Sequence, residues 1–320
     1  MQPGPFSYTR RELLLGLAGA ALVFPKPRNH MYNPQIAAHT SIWLAEAEHR
    51  HKPLAEILDE AFTGTRGAGY TRIELVSEFL SPELKDHTLR LLEKRKLEPT
   101  IVYAAGPVYN RPAAETSRTR VKELAGIMVS HGARFVNFSP SSKPGEQPKS
   151  AEELDTEAYQ LNRMGQDLQQ AGVDLLIHHD QAAMRDNARE WRYWLGHTET
   201  GLVSFCLDLD WVTRAGLRPL SVMDTAGPRL GCLHLRNPKN GVDQELLRDG
   251  DINMLEIARF LRQMSYDGYL VVELLHDQAT QHQYPLATDL SLSRWYVQEV
   301  FGTRPGNPPV DMGPHVRKNT

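Results

Sequence analysis

The chain has 320 residues, of which 41% are hydrophobic and 23% are charged, a composition typical of a globular protein and not of a disordered one. Its formal net charge is -3 and its basic residues are scattered, which argues against a nucleic-acid-binding surface or a polybasic membrane surface. Only two cysteines occur, Cys206 and Cys232, so a disulfide-stapled scaffold is excluded. Both lie inside apolar runs, and we expect buried free thiols in preference to a disulfide.

The first 30 residues resemble an export signal. The segment "YTRRELLLGLAGAALVFPKP" has paired arginines, then an apolar run from Leu13 to Phe24 with small residues that suit cleavage. We therefore predict a twin-arginine-type signal over residues 1–30 and a mature chain in the periplasm or otherwise outside the cytoplasm. An amphipathic N-terminal helix is the alternative. No internal stretch approaches the ~20 apolar residues of a membrane-spanning helix, so we expect no stable membrane anchor after signal removal.

From residue 31 to residue 302 the chain repeats one theme, in which a short apolar run is followed by a turn and a helical pattern. The apolar runs are "PQIAAHTSIWL", "YTRIELVSEF", "EPTIVYAAG", "ARFVNFSPS", "VDLLIHH", "LVSFCLDLDW", "RLGCLHLRN" and "GYLVVELLHD". Helical spacing follows over Pro53–Gly67, Ser81–Lys96, Thr116–Gly132, Asp155–Gly172, Met184–Leu195 and Ile252–Met264. Eight such units in about 270 residues predict parallel strands with right-handed crossovers in a single (β/α)8 TIM barrel.

Glycines lie between helical segments and the strands that follow them, and a proline- and glycine-rich tail ends the chain. Gly69, Gly132, Gly172 and Gly268 each stand just before a strand, and we expect all four to be left-handed helix stops. Residues 303–320 are predicted to be a loosely ordered C-terminal tail.

Polar side chains collect where the apolar runs end, which is where barrels of this kind carry their catalytic residues. The candidates are His39 and Trp43 on strand one, Glu74 and Glu78 on strand two, and Asn137, Ser139 and Ser141 on strand four. Strand five offers His178, His179 and Asp180, strand six Asp208 and Asp210, strand seven His234 and Arg236, and strand eight Glu273 and His276.

Alternation along each strand predicts which candidates meet, because every second side chain faces the barrel axis. The inward groups would be His178 with Asp180, Asp208 with Asp210, His234 with Arg236, and Glu273. Four consecutive strands would then each present a metal-ligand type of side chain at one end of the barrel. Mixed imidazole and carboxylate ligands suit one Mn²⁺, Mg²⁺, Co²⁺ or Zn²⁺ ion, which could polarise a sugar carbonyl or hydroxyl.

A structural role is the alternative for each of these residues. A lone histidine on a strand is more often a hydrogen-bonded core residue than a ligand, and we expect that role for His179. A purely structural role is disfavoured for Asp208, His234 and Glu273, because isolated ionisable groups inside apolar runs would cost several kcal/mol each unless paired or metal-bound.

Four motifs resemble the xylose-isomerase-like sugar phosphate isomerase/epimerase superfamily: "CLDLDWVTRAG", "RLGCLHLRN", "LLRDGDIN" and "YDGYLVVEL". The resemblance covers roughly residues 35–300. It implies a (β/α)8 barrel that holds one divalent metal ion between Glu, Asp, His and Glu on strands five to eight. By position, Asp208, His234 and Glu273 match three of these ligands.

Strand five departs from the pattern that the resemblance implies. Many members carry glutamate at its end and others His-x-His-x-x-Glu, whereas this chain reads "HHDQAA" from His178 to Ala183. His178 is therefore the candidate fourth ligand, and Asp180 is a candidate proton-transfer group or a partner of the ligands. The change argues against the two-base chemistry in which epimerases of this superfamily use two metal-bound glutamates on opposite faces of the sugar.

The resemblance implies a divalent-metal-dependent isomerase or epimerase that moves a proton next to the carbonyl of a carbohydrate or keto-sugar. The expected catalytic residues are Glu273, Asp180 and Arg236. The residues expected to hold or frame the sugar are His39, Trp43, Glu74 and Arg229.

Functions from other classes stay open on the sequence. With one carboxylate base instead of two, elimination or hydrolysis of a 3-keto-glycoside competes with isomerisation, and export favours free or oxidised glycosides over phosphorylated ones. Ala183, where an acid often lies, leaves a non-catalytic sugar-binding barrel possible. A nuclease like the apurinic endonucleases of this fold is disfavoured, because those need more metal ligands and a basic groove. A homo-oligomer is left open.

Overall fold

The structure is a computed structural model that describes residues 31–276, 280–281 and 283–303. Eight parallel strands close a barrel in chain order, and the eighth pairs with the first. The strands are β1 (Gln35–His39), β2 (Arg72–Val76), β3 (Glu98–Gly106), β4 (Phe135–Pro140), β5 (Asp174–Ile177), β6 (Val203–Asp208), β7 (Leu230–Leu235) and β8 (Tyr269–Val272). The predicted single (β/α)8 barrel is confirmed.

Helices surround the barrel between successive strands. They are α1 (Ser41–His49), α2 (Leu54–Gly67), α3 (Lys85–Arg95), α4 (Arg111–Met128), α5 (Ala151–Gln170), α6 (Gln181–His197), α7 (Leu209–Arg214), α8 (Pro219–Ala226), α9 (Met254–Gln263) and α10 (Leu286–Phe301). The helix α6 has non-helical backbone angles from Arg185 to Ala188. None of the helices described is both long enough and apolar enough to cross a membrane.

Alternation along the strands separates two hydrophobic cores. The outward side chains pack against the helices in a large cluster. The inward ones form a smaller cluster that includes Ala37, Leu176, Cys206, Cys232 and Val271. Each of these five lies two residues before a polar candidate at the carboxyl end of its strand. The polar side chains of the site therefore lie directly above an apolar plug that fills the barrel.

The two cysteines belong to that plug. Cys206 and Cys232 are fully buried, unoxidised and paired in register across β6 and β7. Burial raises the pKa of both thiols, so they remain protonated and behave as small apolar side chains. The prediction of buried free thiols is confirmed.

Three of the four predicted glycine stops adopt the left-handed conformation. The φ angles of Gly69, Gly132 and Gly172 are 93°, 96° and 79°. The prediction for Gly268 is wrong, because Ser265, with φ of 53°, makes the left-handed turn after α9. Gly268 is needed for close packing instead, since a Cβ atom there would lie 2.3 Å from the carbonyl oxygen of Gly231.

Gly268→Ala is expected to lower the free energy of unfolding by about 1–3 kcal/mol, because the added methyl group would press on a backbone carbonyl that cannot swing away. Gly126→Ala on α4 is the matched control, since its Cβ would meet no atom within 4 Å. Urea unfolding of both variants measures the difference. Equal stability of the two variants would contradict the close-packing explanation.

Two predicted segments fall outside the described residues. The export signal over residues 1–30 lies wholly outside them, and so does the tail apart from Thr303. Both stay predictions from the sequence.

Candidate metal centre and active site

Side chains from four consecutive strands converge at the carboxyl end of the barrel. His178 follows β5, Asp208 ends β6, His234 lies in β7, and Glu273 follows β8. One ligand atom from each side chain lies within 4.8 Å of the ligand atoms of the other three. The four residues predicted as metal ligands are therefore brought together by the fold.

Three of the four converging groups carry a buried atom without a hydrogen-bond partner. These atoms are Nε2 of His178, Nδ1 of His234 and Oε2 of Glu273. The last two are only 2.7 Å apart. Buried polar atoms normally have partners, and two acceptor atoms at this distance repel unless a proton or a cation lies between them. Two imidazoles and two carboxylates are a ligand set that fits one divalent transition metal or magnesium ion.

The Asp208 carboxylate is held in one orientation by its neighbours. Its Oδ1 accepts hydrogen bonds from the backbone N–H groups of Asp210 and Trp211 at 2.8 and 3.1 Å, and so caps α7. Its Oδ2 is left to face His178 Nε2 at 3.8 Å. Burial raises the pKa of Asp208, but the charge of Arg236 outweighs this effect and the net pKa is lowered. The carboxylate is therefore charged and aimed at the centre.

His179 has the structural role that alternation predicts. It is fully buried, and its Nε2 accepts the backbone N–H of Asp208 at 3.0 Å. Burial lowers the pKa of this imidazole to about 3, so it stays neutral and can accept that hydrogen bond. His179 thus fixes the backbone of the candidate ligand Asp208 without entering the centre.

Glu74 supports His234 from the other side. Its Oε2 is 2.8 Å from His234 Nε2, and its Oε1 accepts from Asn137 at 2.7 Å. The predicted contact of Glu74 with sugar is wrong, because this carboxylate is fully buried beneath the imidazole. Burial raises the pKa of Glu74, but His234 lowers it more and the carboxyl is charged. Burial lowers the pKa of His234, but its anionic neighbours outweigh this effect and the net pKa is raised, so without a cation both ring nitrogens carry a proton. Glu74 accepts the proton on Nε2, and a cation would replace the one on Nδ1.

Glu74→Gln is expected to weaken divalent-metal affinity by about 10-fold, and Glu74→Ala by about 100-fold. Glutamine keeps the size of the side chain but loses the charge that makes His234 a better ligand, whereas alanine loses both. Calorimetric titration with Mn²⁺ measures the change. Glu78→Gln, on an exposed residue of the same segment, is the control and should bind as tightly as wild type. Unchanged affinity in both Glu74 variants would exclude this role.

Arg236 lies beside the centre with its guanidinium fixed by three buried acids. The distances to carboxylate oxygens are 3.4 Å to Asp208, 2.8 Å to Asp210 and 3.3 Å to Asp243. Its guanidinium carbon is 4.7 Å from the Trp211 ring centroid. Its Nε is buried without a partner. The arrangement keeps a positive charge next to the candidate ligand Asp208.

His39, which is predicted to hold or frame the sugar, lies beside the centre, 4.0 Å from Glu273. Its Nδ1 accepts the backbone N–H of Ser41 at 3.2 Å, which leaves the ring proton on Nε2. That Nε2 is buried without a partner, and the ring lies edge-on to His234 at 5.0 Å. Burial lowers the pKa of His39, so the imidazole is neutral and offers one N–H donor.

The prediction for Asp180 as a catalytic group is wrong. Its Oδ1 accepts the backbone N–H of Ala183 at 3.0 Å, and its other oxygen accepts the Ser142 hydroxyl. Because β5 ends at Ile177, strand alternation no longer applies three residues later, and Asp180 is the N-cap of α6. Both carboxylate oxygens are thus occupied by these two donors, and Asp180 is not among the converging ligand-type groups.

Two further predicted sugar-binding residues are placed elsewhere. Trp43 lies on α1, not on β1, and is buried with its indole N–H 2.9 Å from the Thr65 hydroxyl. Arg229 stands before β7, roughly 16 Å along the strand from His234. Its guanidinium donates to the carbonyls of Val203 and Leu195 at the amino end of the barrel. Both predictions are wrong.

Tyr103 is a site residue that the sequence analysis missed. It lies on β3 in register with Asn137, and its ring contacts His39 and His178. Its position could have been predicted, since alternation places Tyr103 on the inward side of the run "EPTIVYAAG". Strand three was passed over because its tyrosine stands among apolar residues.

The chain matches the family described as xylose isomerase-like TIM barrel over residues 64–294, and it belongs to that family. Relatives of this family include enzymes, among them epimerases and dehydratases. The resemblance seen in the sequence motifs is confirmed.

Individual relatives are more distant. An inosose dehydratase from Clostridium perfringens is 23% identical in an alignment of 239 residues that covers 66% of this chain and 79% of that protein. The structure of 3-keto-D-glucoside 4-epimerase from E. coli has a TM-score of 0.64 at 11% identity, covering 83% of this chain and 99% of that one. A xylose isomerase-like barrel protein from Mycobacterium smegmatis, in complex with magnesium, has a TM-score of 0.62 at 14% identity, covering 78% and 90%. At these identities the structural likeness shows the fold.

Proposed function

We propose that this chain is a divalent-metal-dependent enzyme that removes a proton from the carbon next to the ketone of an oxidised sugar or cyclitol. The observation that carries the proposal is the convergence of His178, Asp208, His234 and Glu273, whose ligand atoms all lie within 4.8 Å of one another at the end of the barrel. A bound divalent ion would polarise the substrate carbonyl and so acidify the neighbouring carbon.

Glu273 is the base in this proposal. It is 15% exposed, whereas the Asp208 and His234 side chains are 0% and 1% exposed. Among the two carboxylates of the ligand set it is therefore the one that can reach a substrate from the mouth of the barrel. Its other oxygen lies 4.0 Å from His39. Burial raises the pKa of Glu273, but the neighbouring His39 and His234 outweigh this effect and the net pKa is lowered, so the carboxylate is charged.

Two donors would hold the negative charge that develops on the substrate oxygen. His39 offers an N–H that has no partner, and Arg236 offers a guanidinium that three acids keep in place. Fixed donors aimed at developing charge are worth more in a water-poor site than in solution. The predicted roles of His39 in substrate binding and of Arg236 in catalysis are thus part of the proposal.

Elimination is the reaction that this arrangement favours. Epimerisation needs a second acid–base group on the opposite face of the carbon, and Asp208 is tied to two backbone N–H groups and a guanidinium. The curated relatives are named dehydratases, enzymes that remove water. Isomerisation or epimerisation, the first expectation from the sequence, is the second candidate because it starts from the same proton abstraction. The predicted export signal favours unphosphorylated substrates.

The test is incubation of the purified chain in D₂O with each of Mn²⁺, Mg²⁺, Co²⁺ and Zn²⁺, using 3-keto-glucosides and inososes as substrates. We expect deuterium at the carbon beside the ketone, together with loss of water or of the aglycone in the mass spectrum. Deuterium with an inverted centre and unchanged composition would identify an epimerase. Absence of exchange with every ion and substrate would contradict the proposal.

A further inference from the structure

Tyr103 occupies the mouth of the barrel between two residues of the centre. Its ring meets His39 edge-on at 5.2 Å and His178 edge-on at 5.4 Å. Its centroid is 6.4 Å from that of His234. The side chain is partly exposed, unlike the imidazoles around it, so it borders the space that a substrate would enter.

The Tyr103 hydroxyl lies beside the Ser139 side chain, whose oxygen is 3.3 Å from His178 Nδ1. The phenol is thus directed toward the strand-four and strand-five side of the mouth. Glu273 follows β8, and β1 and β2 separate that strand from β3. A substrate in contact with Glu273 would therefore present another part of its ring to Tyr103. The phenol is an O–H donor, and burial raises its pKa, so it keeps its proton at neutral pH.

Other groups of the described centre are committed elsewhere. His178 turns Nε2 toward the cation position, and Asp180 accepts two hydrogen bonds at the start of α6. The Arg236 guanidinium holds its protons at any ordinary pH. An elimination nevertheless needs an acid where the oxygen departs, because alkoxide and hydroxide are poor leaving groups.

We propose that Tyr103 is the proton donor to the departing oxygen, an assignment that rests on the elimination proposed above. Glu273 takes the proton from the carbon beside the ketone, and the electrons of that C–H bond form the enolate. The enolate electrons then form a carbon–carbon double bond to the next carbon while the bond from that carbon to its oxygen breaks. The oxygen takes the Tyr103 proton and leaves as water or an alcohol. Water returns a proton to Tyr103 and accepts one from Glu273.

The test compares wild type and Tyr103→Phe on two 3-keto-glucosides, one with methanol and one with 4-nitrophenol as leaving group, in D₂O. Loss of the phenol proton should slow release of methanol by about 100-fold or more. Release of 4-nitrophenol, which needs no acid, should change by less than about 10-fold. In Tyr103→Phe the enolate of the methyl glycoside would form but be reprotonated instead of losing methanol. The amount of deuterium in the recovered substrate, divided by the amount of product formed, should therefore rise. Mn²⁺ affinity should be unchanged. Tyr159→Phe on α5, an exposed tyrosine, is the matched control.

Equal slowing of both leaving groups, or no slowing of either, would overturn the assignment of Tyr103. If wild type exchanges deuterium but never breaks the carbon–oxygen bond, proton abstraction stands and the assignment fails. If wild type exchanges no deuterium at all, the proposed function fails and this inference fails with it. The measured exchange therefore separates the two kinds of failure.

Discussion

Asp208→Asn is expected to weaken divalent-metal affinity by at least about 100-fold and to abolish metal-dependent activity. The amide is neutral, so it cannot replace the charged oxygen that Asp208 aims at the centre. Its remaining oxygen can still accept the two backbone N–H groups that start α7, so the fold should be retained. Metal content by mass spectrometry, with titration of the apoprotein, measures the loss.

Matched variants separate loss of the ligand from loss of the fold. Asp208→Ala should bind no metal either, but should also unfold more easily by about 1 kcal/mol because the helix cap is lost. His178→Ala should weaken binding less, since it removes a neutral ligand. Asp224→Asn on an exposed turn of α8 should keep the ion. An Asp208→Asn protein with the metal content of wild type would exclude the proposed centre. If wild type binds no divalent ion, a non-catalytic sugar-binding barrel becomes the leading account.

Glu273→Gln is expected to lower the rate of deuterium exchange beside the substrate ketone by about 100- to 10,000-fold. Glutamine occupies the same volume and can still offer an oxygen to a cation, but it cannot accept a proton from carbon. The exchange rate must be measured at saturating metal, because the same change weakens the ligand set. Saturation is checked by titrating Mn²⁺ until the rate no longer rises.

Glu256→Gln on the exposed side of α9 is the control for Glu273 and should exchange at the wild-type rate. Metal-saturated Glu273→Gln that exchanges as fast as wild type would show that another group is the base. His39→Asn would then be the next variant, since His39 lies 4.0 Å from the same carboxylate.

Local patterns in the sequence were sufficient to predict the barrel and the four candidate ligands that it brings together. The eight apolar runs, each followed by a helical pattern, predict parallel strands with crossovers, and closure of eight such units follows from their number. Period-two alternation then places His178, Asp208, His234 and Glu273 at one end of the barrel, because parallel strands all finish on the same side.

The tertiary structure decided how far each strand extends and which side chains meet across the barrel. Asp180 was predicted from alternation, which stops at Ile177 because β5 ends there. Trp43 was assigned to the end of the first strand, but that strand stops at His39. Arg229 lies at the amino end of β7, which a short motif does not reveal. The partnership of Glu74 with His234 joins residues 160 positions apart. Alternation is a property of one strand, whereas partners across the barrel depend on strand register and tilt. Only the closed barrel therefore brings the polar strand ends together as a candidate cation site, with the Glu74 carboxylate beside His234.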